Sequence, residues 1–263
     1  IEPVFIFDGR PHQLKMETLA GRRSRKDNAN TKWEAAIEAE DMALAKKLGP
    51  QTAEYTREMV AQTKRLFDCL GLVWIEAPME AEGAGAVRCA NGEVAAVASQ
   101  DWDTLLYGSP VMIRNLTSHG RRKFGRMVVA EKIVLAELLE NHNITREQLV
   151  DLAIMIGTDF HPGIRGIGPK TGLKLIREHG TMEAVAEVKD FEMPEDIETT
   201  RGLFHNHPIH PEPLPESTKA VEERLREFLQ GEFGFSERRL ERALKRLANA
   251  NHLKSDSQPT LFD

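Results

Sequence analysis

Short apolar runs that alternate with helical patterns constrain the fold of this chain most strongly. Four runs have the length and unbroken apolar character of strands buried on both faces, at residues 4–7, 73–75, 94–98 and 111–113. An amphipathic stretch over residues 52–70 lies between the first two runs, and Gly71 is a typical helix stop. This alternation predicts an α/β domain with a mostly parallel central sheet.

The remainder of the chain reads mainly as helices and loops. Beyond residue 130 the pattern predicts helices over 144–156, 219–229 and 236–247, and a proline-rich loop over 190–216. Gly49-Pro50 predicts a break after the polar, basic segment 10–48. No run of eighteen apolar residues occurs, so we expect no membrane contact.

The distribution of charge says more about partners than the total does. The net charge is −6, which by itself argues weakly against a nucleic-acid partner. However, basic residues are concentrated between Arg10 and Lys26, between Arg121 and Arg126, and around Lys170. Such segregation allows local binding of a polyanion, although for any one cluster taken alone a solvated helix face is the favoured reading.

Acidic residues follow predicted strands or begin predicted helices, where open α/β sheets place their ligands. The six carboxylates concerned are Asp8, Glu80, Glu82, Asp101, Asp103 and Asp159. Each has an ordinary reading alone, as turn or helix-start chemistry. Gathered at one sheet edge they would repel one another unless cations neutralised them, and carboxylate oxygens suit Mg²⁺ or Mn²⁺. A pair of such ions is a standard apparatus for phosphodiester hydrolysis.

A glycine-rich segment at residues 163–172 is the second motif. It nearly matches a nucleotide-binding loop, but Pro169 stands between Gly168 and Lys170 and no strand precedes it. A Gly-x-Gly-Pro turn between helices resembles instead the helix-hairpin-helix that grips duplex phosphates. In this interpretation Gly166 and Gly168 bring backbone amides to DNA, and Lys170 and Lys174 supply positive charge.

Three histidines, His205, His207 and His210, could suggest a metal site. They fall in the proline-rich segment, and no acidic residue or cysteine lies at a spacing that would complete a metal site. We therefore expect a solvated loop here.

Four motifs in order resemble the flap endonuclease family of XPG-type structure-specific 5′ nucleases, in its archaeal form. They are residues 4–9 (VFIFDG), 76–82 (EAPMEAE), 99–106 (SQDWDTLL) and 157–160 (GTDF) with the following Gly-Ile-Gly-Pro-Lys. Order and spacing agree over nearly all of residues 2–250.

The resemblance implies a PIN-like α/β core with a helical arch and a helix-hairpin-helix region. Residues 1–9 would end an N-terminal nuclease part, 10–71 form the arch and its following helix, and 72–250 the internal part with the hairpin at 157–180. The implied activity is removal of 5′ flaps from branched DNA, with some 5′–3′ exonuclease action, in replication and base-excision repair. The six carboxylates would hold two Mg²⁺ ions, with Mn²⁺ as a substitute.

Further residue roles follow from the same resemblance. Lys15 and Arg22 would be catalytic, steadying the scissile phosphate, and Glu80, Gly157 and Asp159 would also lie against DNA. The hairpin carbonyls could take a K⁺ ion. The tail at 251–263 carries part of a sliding-clamp motif, with Gln258, Leu261 and Phe262 as its contacts. We expect a monomer in the cytoplasm of an archaeal cell, and a nuclear protein only if the source were eukaryotic.

The chain departs from the family pattern at its beginning. Ile1 leads directly into a strand, and the family's preceding strand, a further metal-binding aspartate and its hydrophobic wedge are not seen before it. We therefore expect a fragment that is inactive alone although its parent is active.

Two alternative functions are kept open. One is a related 5′ exonuclease or a junction-resolving nuclease of the same superfamily. The other is a nuclease-dead protein that only binds DNA junctions, although such a protein has no evident need for six carboxylates.

Overall fold

A computed structural model of the protein describes residues 1–118, 120–123 and 125–253. The strands, in chain order, are β1 (Val4–Phe7), β2 (Val73–Glu76), β3 (Val97–Ala98), β4 (Val111–Arg114), β5 (Arg122–Lys123), β6 (Arg126–Met127) and β7 (Glu131–Val134). The α-helices are α1 (Met16–Glu38), α2 (Met42–Thr52), α3 (Arg57–Leu70), α4 (Ala81–Ala90), α5 (Asp103–Leu106), α6 (Leu135–His142), α7 (Arg146–Ile156), α8 (Pro169–His179), α9 (Met182–Lys189), α10 (Ile197–His205), α11 (Glu222–Arg226) and α12 (Glu237–Asn249).

The chain forms two compact units, each built from separate stretches of sequence. The first contains residues 1–7, 52–75 and the chain from Glu212 onward, and the second contains residues 8–51 and 76–211. None of the helices in the described residues is long and apolar enough to cross a membrane.

In the first unit, β1 pairs with β2, and α3 packs against the C-terminal helices. Leu225, Leu240 and Leu244 are buried in a small core that also contacts Leu66 and Leu70 on α3. As predicted, α3 ends at Gly71, whose φ of 65° favours glycine. A π-helix over Glu227–Glu232 connects α11 to α12.

The second unit contains a three-stranded sheet in the order β3-β4-β7. β3 and β4 are parallel, with Val97 opposite Met112, whereas β7 joins antiparallel to β4, with Val134 opposite Val111. The strand predicted over 94–98 is shorter than expected, because only Val97 and Ala98 pair with β4. The helical pattern expected from residue 130 was wrong for β7, where β-branched Ile133 and Val134 complete the sheet edge.

The main core lies among helices α7 to α10 of the second unit. Its most deeply buried side chains include Met155, Ile176, Met182, Val185 and Phe204. The predicted loop over 190–216 was wrong in part, since α10 forms within it. The buried residues Ile197, Thr200 and Phe204 have helical spacing, and this face holds α10 against the core.

The break predicted at Gly49-Pro50 was also misplaced. α2 continues through Pro50, and the chain turns instead between α1 and α2, where Glu40 has a φ of 55°. Asp41 sets the start of α2 because its carboxylate accepts a hydrogen bond from the backbone N–H of Leu44 at 3.0 Å. The helix begins after this capping residue and ends at Thr52, two residues beyond Pro50.

Candidate metal-dependent nuclease site

The ends of four elements, β1, β3, α4 and α7, bring the predicted carboxylates to one cleft in the second unit. The cleft has a volume of about 170 Å³. Its lining contains all six predicted carboxylates and both predicted cations: Asp8, Glu80, Glu82, Asp101, Asp103, Asp159, Lys15 and Arg22. Six negative and two positive side chains leave the cleft strongly acidic.

Asp8 reaches the cleft because Gly9 allows a close approach of two chain segments. A Cβ at Gly9 would lie 1.9 Å from the carbonyl oxygen of Ala77, so no other residue fits there without displacement of the backbone. Asp8 Oδ1 accepts a hydrogen bond from the backbone N–H of Ala81 at 2.9 Å, at the start of α4. The Asp8-Gly9 segment therefore places the Asp8 carboxylate against the start of α4.

Glu80 is the N-cap residue of α4, and Glu82 lies in the first turn. Helix α4 itself begins at Ala81, directly after Glu80. Oxygens of Asp8, Glu80 and Glu82 lie within 4.8 Å of one another, close enough to share one cation. Burial, followed by the charges of Asp8 and Asp101, raises the pKa of Glu82 above its usual value.

Asp101 and Asp103 follow β3, and a serine organises their turn. Ser99 Oγ accepts a hydrogen bond from the backbone N–H of Asp101 at 3.0 Å and lies 3.4 Å from Glu82 Oε1. Asp101 Oδ1 in turn accepts the backbone N–H of Asp103 at 3.1 Å. Burial, reinforced by the charge of Asp101, raises the pKa of Asp103 from 3.8 to about 7.

Asp159 enters from the loop after α7 and meets both cations. Lys15 forms an ion pair with Glu80, and its Nζ lies 3.3 Å from Asp159 Oδ2. Arg22, whose side chain is about half exposed, pairs with Asp159 Oδ1 at 2.5 Å. Burial alone would lower the pKa of Lys15, but the hydrogen bond and charge of Glu80 and the charge of Asp159 raise it overall.

Sequence reasoning missed four residues that shape the cleft. Thr18 Oγ1 donates to the backbone carbonyl of Asp159 at 2.9 Å, and Tyr107 forms part of the cleft wall. Burial, followed by the charges of Glu80 and Asp103, raises the pKa of Tyr107. Ser99 had a usable signal, since a serine two residues before an aspartate often caps a turn. His207, the fourth, had none.

His207 corrects the expectation of a solvated loop. Its side chain is buried, with 6% of the residue exposed, and Nε2 lies 3.0 Å from the backbone carbonyl oxygen of Glu80. Burial lowers the pKa of His207 to about 4, so the ring is neutral at pH 7. His205 is half-buried at the end of α10 and His210 is exposed, so the three do not form a metal site.

The predicted hairpin connects α7 to α8 and shares its loop with Asp159. Gly157 ends α7 with a φ of 118°, and Gly166, with a φ of 88°, has open space where a Cβ would lie. Gly168 is the N-cap of α8. Lys170 and Lys174 are exposed one turn apart on α8, and Lys174 Nζ lies 3.7 Å from Glu178 Oε1.

Three sequence-based predictions concern the end of the chain. Gln258, Leu261 and Phe262, predicted to contact a sliding clamp, lie outside the residues that the structure describes.

Comparisons with known proteins agree on one family. The XPG I-region family model matches residues 71–159. The chain is 40% identical over 251 residues to flap endonuclease 1 of Methanoculleus marisnigri, covering 94% of this chain and 74% of that protein. It is 38% identical over 264 residues to flap endonuclease 1 of Staphylothermus marinus, covering 97% and 75%.

Solved structures extend the agreement to the fold. Flap endonuclease-1 from Methanococcus jannaschii matches with a TM-score of 0.69 and 34% identity, over 95% of this chain and 77% of that one. The catalytic core of Rad2 in complex with DNA substrate matches with a TM-score of 0.72 and 20% identity, over 94% and 79%. The predicted α/β, PIN-like nuclease fold is thereby confirmed.

Proposed function

We propose, from the premise that this chain belongs to the flap endonuclease family, that its carboxylate cleft hydrolyses DNA at the base of a 5′ flap. The chain is a structure-specific 5′ nuclease, which hydrolyses phosphodiester bonds.

The observation that carries the site assignment is the convergence of six carboxylates with two cations in one small cleft. The donors fit Mg²⁺, because they are all oxygen and three of them lie within 4.8 Å of one another. Burial, reinforced by the charges of neighbouring carboxylates, raises the pKa values of Glu82 and Asp103, and a bound divalent cation would favour their charged forms. Two Mg²⁺ ions, or Mn²⁺ in their place, would activate water and neutralise phosphate charge.

We assign Lys15 and Arg22 to the scissile phosphate. Both cations pair with Asp159, at the same side of the cleft. Once divalent ions neutralise the carboxylates, the two side chains are free to hold phosphate oxygens and to stabilise the charge that develops in the reaction. Arg22 is the more exposed of the two, so it would meet the DNA first.

We assign the α7–α8 hairpin to the duplex beside the flap. The open space at Gly166 lets backbone amides approach a phosphate closely, and Lys170 and Lys174 add charge from α8. Because Gly157, Asp159 and the hairpin glycines belong to one loop, DNA held by the hairpin would be positioned against the cleft. We also propose that the backbone carbonyls of the hairpin bind a K⁺ ion.

The remaining assignments rest on the family resemblance. Helices α1 and α2 correspond to the arch that would admit a single-stranded 5′ end. The tail residues Gln258, Leu261 and Phe262 would contact a sliding clamp. We propose a monomer that acts on branched DNA in the cytoplasm of an archaeal cell.

The test is cleavage of a 5′-flap duplex in Mg²⁺ by the full-length protein and by its Asp101→Asn variant. Asp101 is exposed in the cleft, so the substitution removes charge without opening a cavity. We expect cleavage to fall by about 100-fold or more, with flap binding retained. Glu216→Gln, an exposed change in a loop of the first unit, is the control. Cleavage by Asp101→Asn at the parent rate would refute the site.

The alternatives separate on a panel of DNA substrates. A junction-resolving nuclease would prefer a four-way junction, and a 5′ exonuclease would degrade a blunt duplex at least as fast as a flap. A nuclease-dead binder would hold the flap without cutting it at any concentration of Mg²⁺ or Mn²⁺.

A further inference from the structure

His207 is distant in sequence from every other residue at the cleft, yet its ring contacts the beginning of α4. Nε2 lies 3.0 Å from the backbone carbonyl oxygen of Glu80. Because a carbonyl oxygen only accepts hydrogen bonds, Nε2 must be the donor, which sets the tautomer of the neutral ring. Nδ1 is buried and has no hydrogen-bond partner among the described residues.

Glycine at position 83 admits the imidazole to this position. A Cβ on Gly83 would lie 1.9 Å from Cδ2 and 2.3 Å from Nε2 of His207. Tyr107 also packs against the ring, with ring centroids 5.0 Å apart. The ring is therefore held between the first turn of α4 and a side chain of the cleft wall.

The contact acts on the peptide unit that orients the metal-binding carboxylates. Glu80 is the N-cap residue, where the backbone changes from extended (φ −76°, ψ 132°) to helical. Its side chain makes no capping hydrogen bond, since it points to Lys15 and the cleft. The Glu80 carbonyl accepts from Ala84 N–H at 3.1 Å as well as from His207. A rotation of this peptide would turn the Glu80 side chain and displace Glu82, two residues on.

We propose that His207 is a positioning residue for the carboxylate cleft, which holds the Glu80 carbonyl through Nε2–H and thereby sets the spacing of Glu80 and Glu82 for divalent ions. The proposal rests on the proposed nuclease function only for its effect on cleavage. Its effect on metal binding stands independently. Mutation of a residue that holds a metal ligand in place commonly lowers metal affinity by about 10- to 100-fold.

Two substitutions separate the hydrogen bond from packing. His207→Phe keeps an aromatic ring but removes the donor, whereas His207→Gln keeps an amide N–H at a similar distance from the backbone. His210→Phe, at an exposed position in the same segment, is the control. Each variant, made in the full-length protein, is tested for Mn²⁺ affinity by titration calorimetry, for kcat on flap DNA in Mg²⁺, and for flap affinity in Ca²⁺.

We expect His207→Phe to weaken Mn²⁺ binding about tenfold and to lower kcat by a similar factor. Flap affinity should change less than about twofold, because the hairpin is unaltered. His207→Gln should restore most of both losses, and His210→Phe should match the parent. Parent-like Mn²⁺ binding by His207→Phe would overturn the proposal, and so would a loss in His207→Gln equal to that in His207→Phe.

A second variant tests the same contact in case His207→Phe fails to fold. Gly83→Ala retains every polar group but forces the ring out of its place. We expect it to weaken Mn²⁺ binding like His207→Phe, and parent-like binding would overturn the proposal. If the parent fails to cut flap DNA while Mn²⁺ binding still depends on His207, the nuclease function fails and the positioning role survives.

Discussion

Removal of the charge on Asp103 should stabilise the metal-free protein, although it should destroy metal-dependent activity. Burial and the neighbouring carboxylates raise the pKa of Asp103 from 3.8 to about 7. The folded protein therefore favours the protonated acid. The contribution of Asp103 to the stability of the parent is fully present below about pH 4 and is lost as the pH rises to about 7.

The magnitude follows from this rise in pKa. One pH unit corresponds to about 1.4 kcal/mol, so the ionised form of Asp103 costs the folded state roughly 4 kcal/mol at pH 8. Water and side-chain rearrangement reduce such costs in real proteins. We expect Asp103→Asn to raise the free energy of unfolding by about 2 to 4 kcal/mol at pH 8, and by less than about 1 kcal/mol at pH 4.

The assay is urea unfolding in EDTA at several pH values between 4 and 8, on parent and variant. Glu216→Gln serves as the control and should show no pH-dependent difference from the parent. Added Mg²⁺ should stabilise the parent more than Asp103→Asn, because a ligand that binds only the folded state raises its stability. A variant that is equally stable or less stable than the parent at pH 8 would refute the reasoning.

Three further outcomes can be checked separately. Lys15→Gln should slow single-turnover flap cleavage about tenfold or more while changing flap binding less than about threefold; equal losses in both would indicate a role in binding alone. Lys170→Gln and Lys174→Gln should each weaken duplex binding and lower the salt dependence of that binding by about one ion, and an unchanged salt slope would contradict the hairpin assignment. Arg201→Leu should destabilise the fold by about 3 kcal/mol in urea unfolding, because it leaves buried Asp151 without the partner that donates at 2.7 and 2.9 Å. The double variant Arg201→Leu, Asp151→Leu should recover part of that loss, and no recovery would show that the unpaired charge is not the cause.

Much of the carboxylate cleft could be predicted from the sequence because its residues lie directly before or after strands and helices. Asp8 follows β1, and Asp101 and Asp103 follow β3. Open α/β folds place their ligands at such positions, although β1 and β3 belong to separate sheets here. The hairpin was predictable for a similar reason, since Pro169 and its flanking glycines specify a local turn and helix start.

Predictions failed where a helix continued past a local break signal or where a partner lay far along the chain. Gly49-Pro50 indicated a break, but α2 begins at Met42 and continues through Pro50 to Thr52. Residues 131–134 were expected to be helical, but they pair with β4 and form a strand. Local propensity cannot decide such cases because tertiary pairing contributes more free energy.

The sequence by itself determined the carboxylates, their placement at element ends and the α7–α8 turn that we assign to DNA, because each depends on neighbours within a few residues. Only the tertiary structure decided which groups support them. Lys15 lies 65 residues from Glu80 and His207 lies 127 residues from it, yet both contact it. Contacts at such separations depend on how the whole unit packs, and nothing in the local pattern around a buried histidine records them.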